Sequence, residues 1–134
     1  MAGGKRRWLA PAFGIVLVAL VGIQFVPVER TNPPVRNDLG APAEVDAILR
    51  GACYDCHSNE TRWPWYARVA PMSWFLSNHV EDGRREMNFS EWPVVDFEAV
   101  QEGEMPLRSY KLLHPEARLT PEQVEILVGW ARGD

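Results

Sequence analysis

The sequence predicts an all-α protein, on three observations. No stretch alternates apolar and polar residues with the period of two that a half-buried strand needs. Apolar residues recur instead at three- and four-residue intervals, as in Val45, Ile48, Leu49 and Ala52. The C-terminal segment also carries a full set of helix start and stop signals.

The elements follow in order. Lys5, Arg6 and Arg7 precede an apolar run from Trp8 to Val28, broken only by Pro11, Gln24 and Pro27. About twenty such residues at roughly 1.5 Å rise cross a hydrocarbon core of roughly 30 Å. The basic cluster keeps the N-terminal side in the cytoplasm by the positive-inside rule, so the remainder is exported. A cleaved signal peptide is the competing reading, but Gln24-Phe25-Val26-Pro27-Val28 lacks the small residues of a cleavage site. Residues 1–28 are therefore expected to be an uncleaved, single-pass anchor in a bacterial inner membrane. The rest would face the periplasm or outer side.

Residues 29–41, centred on Pro33-Pro34, have the composition of a short extended linker. Residues 42–134 are expected to form one small helical domain. Pro42 and the Val45, Ile48, Leu49, Ala52 face start a first helix. A second is expected from about Ser73 to Glu86, burying Trp74, Leu76, Val80 and Met87. Asp96 is placed to cap a short helix through Val100, and Gly103-Glu104-Met105-Pro106 reads as loop. In the last helix Thr120 is the N-cap, Pro121 takes the first position and Gln123 completes a capping box. Val124, Leu127, Val128 and Trp130 form its stripe, and Gly133 ends it.

All 18 acidic residues lie after Val28, against eleven of the 14 basic ones, so the exported part carries −7. That balance disfavours nucleic acid and suits a partner with a basic docking face.

The chemistry is concentrated in Cys53-Tyr54-Asp55-Cys56-His57, which contains both cysteines of the chain. Cys-x-x-Cys-His is the attachment signature of c-type haem. Two intervening residues let one helical turn present both thiols to the vinyl groups of one porphyrin. The next residue, His57, then reaches the iron from the same side as proximal ligand. A redox dithiol would sit at a strand-to-helix junction, yet helical signals precede this motif. Structural zinc needs four ligands at short paired spacings, whereas His79 and His114 lie far apart.

The order of parts resembles the single-haem cytochrome c fold, with a helix entering Cys-x-x-Cys-His, a Met-Pro loop and a closing helix. A closer resemblance is to the bacterial haem-binding domain family. It is carried by Cys53-x-x-Cys56-His57-Ser58, Thr61, Pro64-Trp65-Tyr66, Pro71, His79-Val80, Gly83-Arg84, Asn88-Phe89-Ser90, Trp92, Met105-Pro106, Tyr110, His114-Pro115 and Leu119. The resemblance implies a small cytochrome c-like helical domain wrapped around one covalent haem c.

Met105 is the leading candidate for the second iron ligand, because a thioether favours ferrous iron and raises the reduction potential. His79 and His114 are the alternatives. The other ring nitrogen of His57 should donate to a backbone carbonyl, for which related cytochromes use a proline; Pro71 and then Pro64 are the candidates. Trp63, Trp65, Tyr66 and Trp74 are candidate pocket walls, and Tyr110 or Trp65 could bond a haem propionate. Arg62, Arg84, Arg85 and Arg108 are candidate propionate partners. Asn59-Glu60-Thr61 and Asn88-Phe89-Ser90 match the glycosylation pattern, which carries no information in a bacterial exported protein.

The favoured function is single-electron transfer to redox partner proteins by a membrane-tethered monohaem cytochrome. The alternative is a haem peroxidase or diatomic-gas sensor with an open or displaceable sixth iron site. A structural haem in a larger complex is the third reading.

Overall fold

Helices form where the apolar stripes recur, and in the computed structural model every regular element among the described residues is helical. The structure describes residues 3–133, with side chains from Trp8 onward. The orientation expected from Lys5, Arg6 and Arg7 rests on side chains outside that set.

The chain divides into two units. The first holds the residues up to Arg30 together with Pro64–Asn78. Its α1 helix, Gly3–Gly22, runs into a 3₁₀ turn at Ile23–Phe25. Trp8–Phe25 has a mean hydropathy of 2.1 and buries none of its residues, so this segment is long and apolar enough to cross a membrane. Gln24 at its end clasps Ala70 from both sides. Its Oε1 accepts from the Ala70 N–H at 2.9 Å, and its Nε2 donates to the Ala70 carbonyl at 3.1 Å. A 3₁₀ turn at Trp65–Arg68 and the first half of α4, Met72–Glu86, complete this unit.

The second unit holds Thr31–Trp63 and the residues from His79 on. Its elements are α2 (Ala43–Ala52), α3 (Tyr54–His57), the rest of α4, α5 (Glu98–Gln101), α6 (Arg108–Leu113) and α7 (Pro121–Arg132). The α2 stripe is buried as the periodicity requires, and α2 packs on α7 and on the 3₁₀ turn at Pro115–Ala117. Leu49 and Leu127 are fully enclosed, with Phe89 and Tyr54 in ring contact at 5.3 Å beside them. Each such side chain stabilises the fold by about 1.5–3 kcal/mol. The α7 caps form as expected. Thr120 Oγ1 accepts from the Gln123 N–H, Gln123 Oε1 accepts from the Thr120 N–H, and Gly133 closes the helix at φ +80°.

Two local expectations need adjusting, and one helix, α6, was not expected. On α4, Ser73 and Val80 are buried, while Trp74, Leu76 and Met87 are only half-buried. Asp96 does bond the Glu98 N–H, at 2.9 Å, but the helix it introduces is a single turn. The α6 helix carries no periodic signal, because it buries none of its residues.

Residues 31–41 contain no regular element, yet they are bonded along the second unit. The Arg36 and Asn37 N–H groups both donate to the Ser90 carbonyl, at 2.8 and 2.9 Å. Asn59 Nδ2 donates to the Pro34 carbonyl at 3.1 Å, and Leu39 and Ala41 pack on the core.

Candidate functional site

The α2 helix ends at Cys53, whose backbone leaves the helical region at φ −125°. The Cys53 carbonyl then accepts from both the Cys56 and His57 N–H groups, at 3.1 and 2.9 Å, closing the single turn of α3. This turn brings Cys53, Cys56 and His57 to one wall of a cavity of about 780 Å³. That volume lies within the roughly 300–1,000 Å³ range of small-molecule and cofactor sites.

No disulfide joins the two cysteines. Burial pushes Cys53 up to about 12, and burial with the Asp55 charge pushes Cys56 up to about 11. A redox Cys-x-x-Cys lowers its thiol pKa instead, so the surroundings here do not suit thiolate chemistry. Nor do three or more His, Cys, Asp or Glu side chains converge on one metal position among the described residues.

His57 Nδ1 lies 3.1 Å from the Met87 carbonyl. A carbonyl only accepts, so Nδ1 carries the proton and Nε2 keeps its lone pair. Burial lowers the imidazole pKa, against the raising influence of the Met87 and Gly83 carbonyls, so the ring is held neutral, as a metal ligand must be. The expectation that Pro71 or Pro64 supplies this carbonyl is overturned: Met87, just past the end of α4, supplies it.

The close approach of α4 explains that change. A Cβ at Gly83 would lie 2.6 Å from the Cys56 carbonyl oxygen and 3.0 Å from the Cys56 Cβ. Only glycine lets the helix backbone approach the motif this closely. One turn on, the same helix delivers the Met87 carbonyl to the imidazole.

A buried polar network underlies the motif. Asn88 Nδ2 donates to Asn59 Oδ1 at 2.9 Å, and Asn88 Oδ1 accepts from the Ser90 N–H at 3.0 Å. Ser90 Oγ accepts from the Asn59 N–H, and the Phe89 N–H donates to the His57 carbonyl at 2.8 Å. Both asparagines of the glycosylation-like tripeptides are thus interior residues. Arg84 donates to the Ser58 and Thr31 carbonyls, Asn32 Oδ1 and Thr61 Oγ1. Asp55, between the cysteines, accepts from the Arg62 backbone and guanidinium and from the Tyr110 hydroxyl at 2.7 Å. Burial and that bond push the Tyr110 pKa up.

Of the three sixth-ligand candidates, Met105 and His79 line the cavity. The Glu104 and Met105 N–H groups both donate to the Ala99 carbonyl, at 2.9 and 3.0 Å, which fixes where the loop crosses the cavity. His114 is not among the lining residues; its ring stacks on Tyr110 at 4.0 Å. Among the aromatic candidates Tyr110 lines the cavity, whereas Trp63 donates to Asn32 Oδ1 and Trp65, Tyr66 and Trp74 belong to the first unit.

None of the four candidate arginines is among the residues lining the cavity. Arg62 and Arg84 are committed to the bonds above, and Arg85 pairs with Glu81 and Asp82. Asp82, Glu86, Asp96, Glu98, Glu102 and Glu104 line the cavity instead.

Sequence reasoning gave no site role to Asn59 or Asp55, named Gly83, Asn88 and Ser90 for the site only within the resemblance, and placed Met87 only among the buried residues of the second helix. The available signal was the joint occurrence of Gly83-Arg84 and Asn88-Phe89-Ser90 in the resemblance. Two thiols and a neutral imidazole with a free lone pair share the cavity with a thioether and the apolar Phe97 and Val100. This donor set, soft sulfur and nitrogen around an apolar slot, suits haem.

The chain is matched over residues 18–133 by the model of the family described as "Haem-binding domain". No curated protein and no solved structure matches it. The family match spans the motif, both cavity walls and α7, so this chain belongs to the haem-binding domain family, with haem as its ligand.

Proposed function

We propose that the protein is a membrane-anchored, monohaem c-type electron carrier. Residues 1–28 serve as the anchor, 29–41 as the linker and 42–134 as the haem domain, on the outer side of a bacterial inner membrane. Cys53 and Cys56 would hold the haem through thioether links, and His57 Nε2 and Met105 would bind its iron. When bound, haem supplies one-electron Fe(II)/Fe(III) exchange.

The observation that carries this reading is the shared cavity wall of Cys53, Cys56 and His57, with the Met87 carbonyl orienting the imidazole. The chain's own work is positional. Gly83 lets α4 close on the motif, and the Asn59–Asn88–Ser90 network keeps the following segment from moving. Tethering confines the domain near membrane-bound redox partners and raises its effective concentration there.

The test is to make the full chain in a host with haem-maturation machinery, denature it and weigh it. A mass one haem above the polypeptide, lost in Cys53→Ala/Cys56→Ala, is expected; bare polypeptide would refute covalent attachment. That His79 lines the cavity as well as Met105 favours one second reading, a displaceable sixth position that admits peroxide or a diatomic gas. A low-spin spectrum unchanged by carbon monoxide in the reduced state would exclude it.

A further inference from the structure

The segment Trp65–Phe75 is unlike the rest of the exported chain. It holds no Asp or Glu and one Arg, Arg68, within a region whose net charge is −7. Trp65 is 78% exposed, and Val69, Met72 and Phe75 are exposed at three-residue spacing. Gln24 ties this segment to the end of the apolar helix, Arg30 ties it to the chain beyond that helix, and Ser77, just past the segment, is bonded to Glu29. Gln24 clasps the Ala70 backbone, Arg30 Nη1 donates to the Ala67 carbonyl at 3.2 Å, and Ser77 Oγ donates to the Glu29 carbonyl at 2.7 Å.

We infer that Trp65–Phe75 is an interfacial membrane-binding element, with Trp65, Val69, Met72 and Phe75 seated at the headgroup–acyl boundary of the lipid bilayer. The inference rests on the reading of Trp8–Phe25 as a span. Its occupant is set by continuity, since Gln24 is the last polar residue of that span and is bonded directly to Ala70. Where the span leaves hydrocarbon, the chain bonded to it is at headgroup depth. Aromatic residues are enriched at that depth, and an apolar face beside a basic residue is the composition that lies in it. The acidic surface elsewhere would be repelled by anionic lipid, while Arg68 would be drawn to it. Gln24 also fits, because its amide groups are satisfied by backbone at the place where hydrocarbon gives way to water.

The test uses the full chain in vesicles of phosphatidylcholine and phosphatidylglycerol, with a photoreactive benzophenone side chain introduced singly. The substitutions are Trp65→p-benzoylphenylalanine, Phe75→p-benzoylphenylalanine, Val18→p-benzoylphenylalanine as span control and Leu112→p-benzoylphenylalanine as an exposed control in the second unit. Lipid adducts are counted by mass after illumination. Adducts at 65 and 75 several-fold above those at 112, and comparable to those at 18, are expected. Adducts at 18 alone would overturn the interfacial element and leave the span standing. No adduct at 18 would remove the span and the inference with it, and equal adducts at 112 would also overturn it.

Discussion

Beneath the motif that carries His57, polar groups are bonded to one another and to backbone. The imidazole meets the Met87 carbonyl, Asn88 joins Asn59 to Ser90, and Arg84 gathers four acceptors. On the wall that carries Met105, the Ala99 carbonyl receives two N–H groups, and Glu98, Glu102 and Glu104 stand exposed. The contrast shows two different uses of chain. A ligand supplied by a motif needs an immobile surround, because its two thiols and one nitrogen must all be presented in fixed register. On the proposed ligation Met105 comes from a loop, which needs only a fixed crossing point and would be exchangeable without disturbing the core.

The largest effect that could break this contrast is at Gly83. Gly83→Val sets a branched side chain against the Cys56 backbone, where the nearest atom to a Cβ is a carbonyl oxygen at 2.6 Å. Neither backbone can yield without shifting α4 or the motif. The expected loss is about 3 kcal/mol, the upper end of overpacking costs. For a domain of this size that lowers the melting temperature by about 4–8 °C per kcal/mol. Thermal unfolding of the full chain in detergent measures it, and haem content should fall in parallel. An unchanged melting point would show that α4 is free to move away from the motif.

Asn88→Ala comes next. It strips the donor from Asn59 Oδ1 and the acceptor from the Ser90 N–H, both interior groups, without creating a steric clash. Leaving such groups unsatisfied costs about 1–3 kcal/mol. Denaturant midpoints at constant slope would register it. A change below a few tenths would mean that water reaches these groups and that the network is not a closed one.

How much of this is readable in the sequence follows the same division. Elements built on periodicity are legible: Val45, Ile48, Leu49 and Ala52 announce α2, and Thr120, Pro121, Gln123 and Gly133 announce α7. The motif announces Cys53, Cys56 and His57 because their spacing is local chemistry. Met87 as the imidazole's partner is hidden, since a backbone carbonyl has no side-chain signature and lies thirty positions on. The α6 helix is hidden because its leucines, Leu112 and Leu113, face outward. Charge alone assigns arginines to propionates, but Arg62 and Arg84 have nearer acceptors in Asp55 and in carbonyls of their own unit.

Tyr110 lines the same cavity and is bonded to Asp55 of the motif, and it sharpens the comparison at smaller amplitude. Tyr110→Phe removes one donor from Asp55, whose carboxylate keeps the Arg62 backbone and guanidinium. With the carboxylate still bonded, the expected loss is about 1 kcal/mol. The readout that separates it from a packing change is coupling: Arg62→Ala should cost more when combined with Tyr110→Phe than in the native chain. Additive losses would mean that the two donors act independently on Asp55.

The smallest structural effect is expected at Met105. Its side chain is half-buried and borders open cavity, so Met105→Ala in the haem-free chain should cost about 1 kcal/mol or less, well under the roughly 2–5 kcal/mol typical of a core methionine. In the haem-loaded chain the same substitution should remove the thioether-to-iron absorption band and lower the reduction potential, because loss of a sulfur ligand favours ferric iron. Large spectral change with small stability change is the outcome that an exchangeable loop ligand requires. His79→Ala is the paired control, since His79 lines the same cavity from α4. If the band survives Met105→Ala and the low-spin spectrum is lost with His79→Ala, the sixth ligand belongs to the rigid wall, and the division of labour between the two walls is wrong.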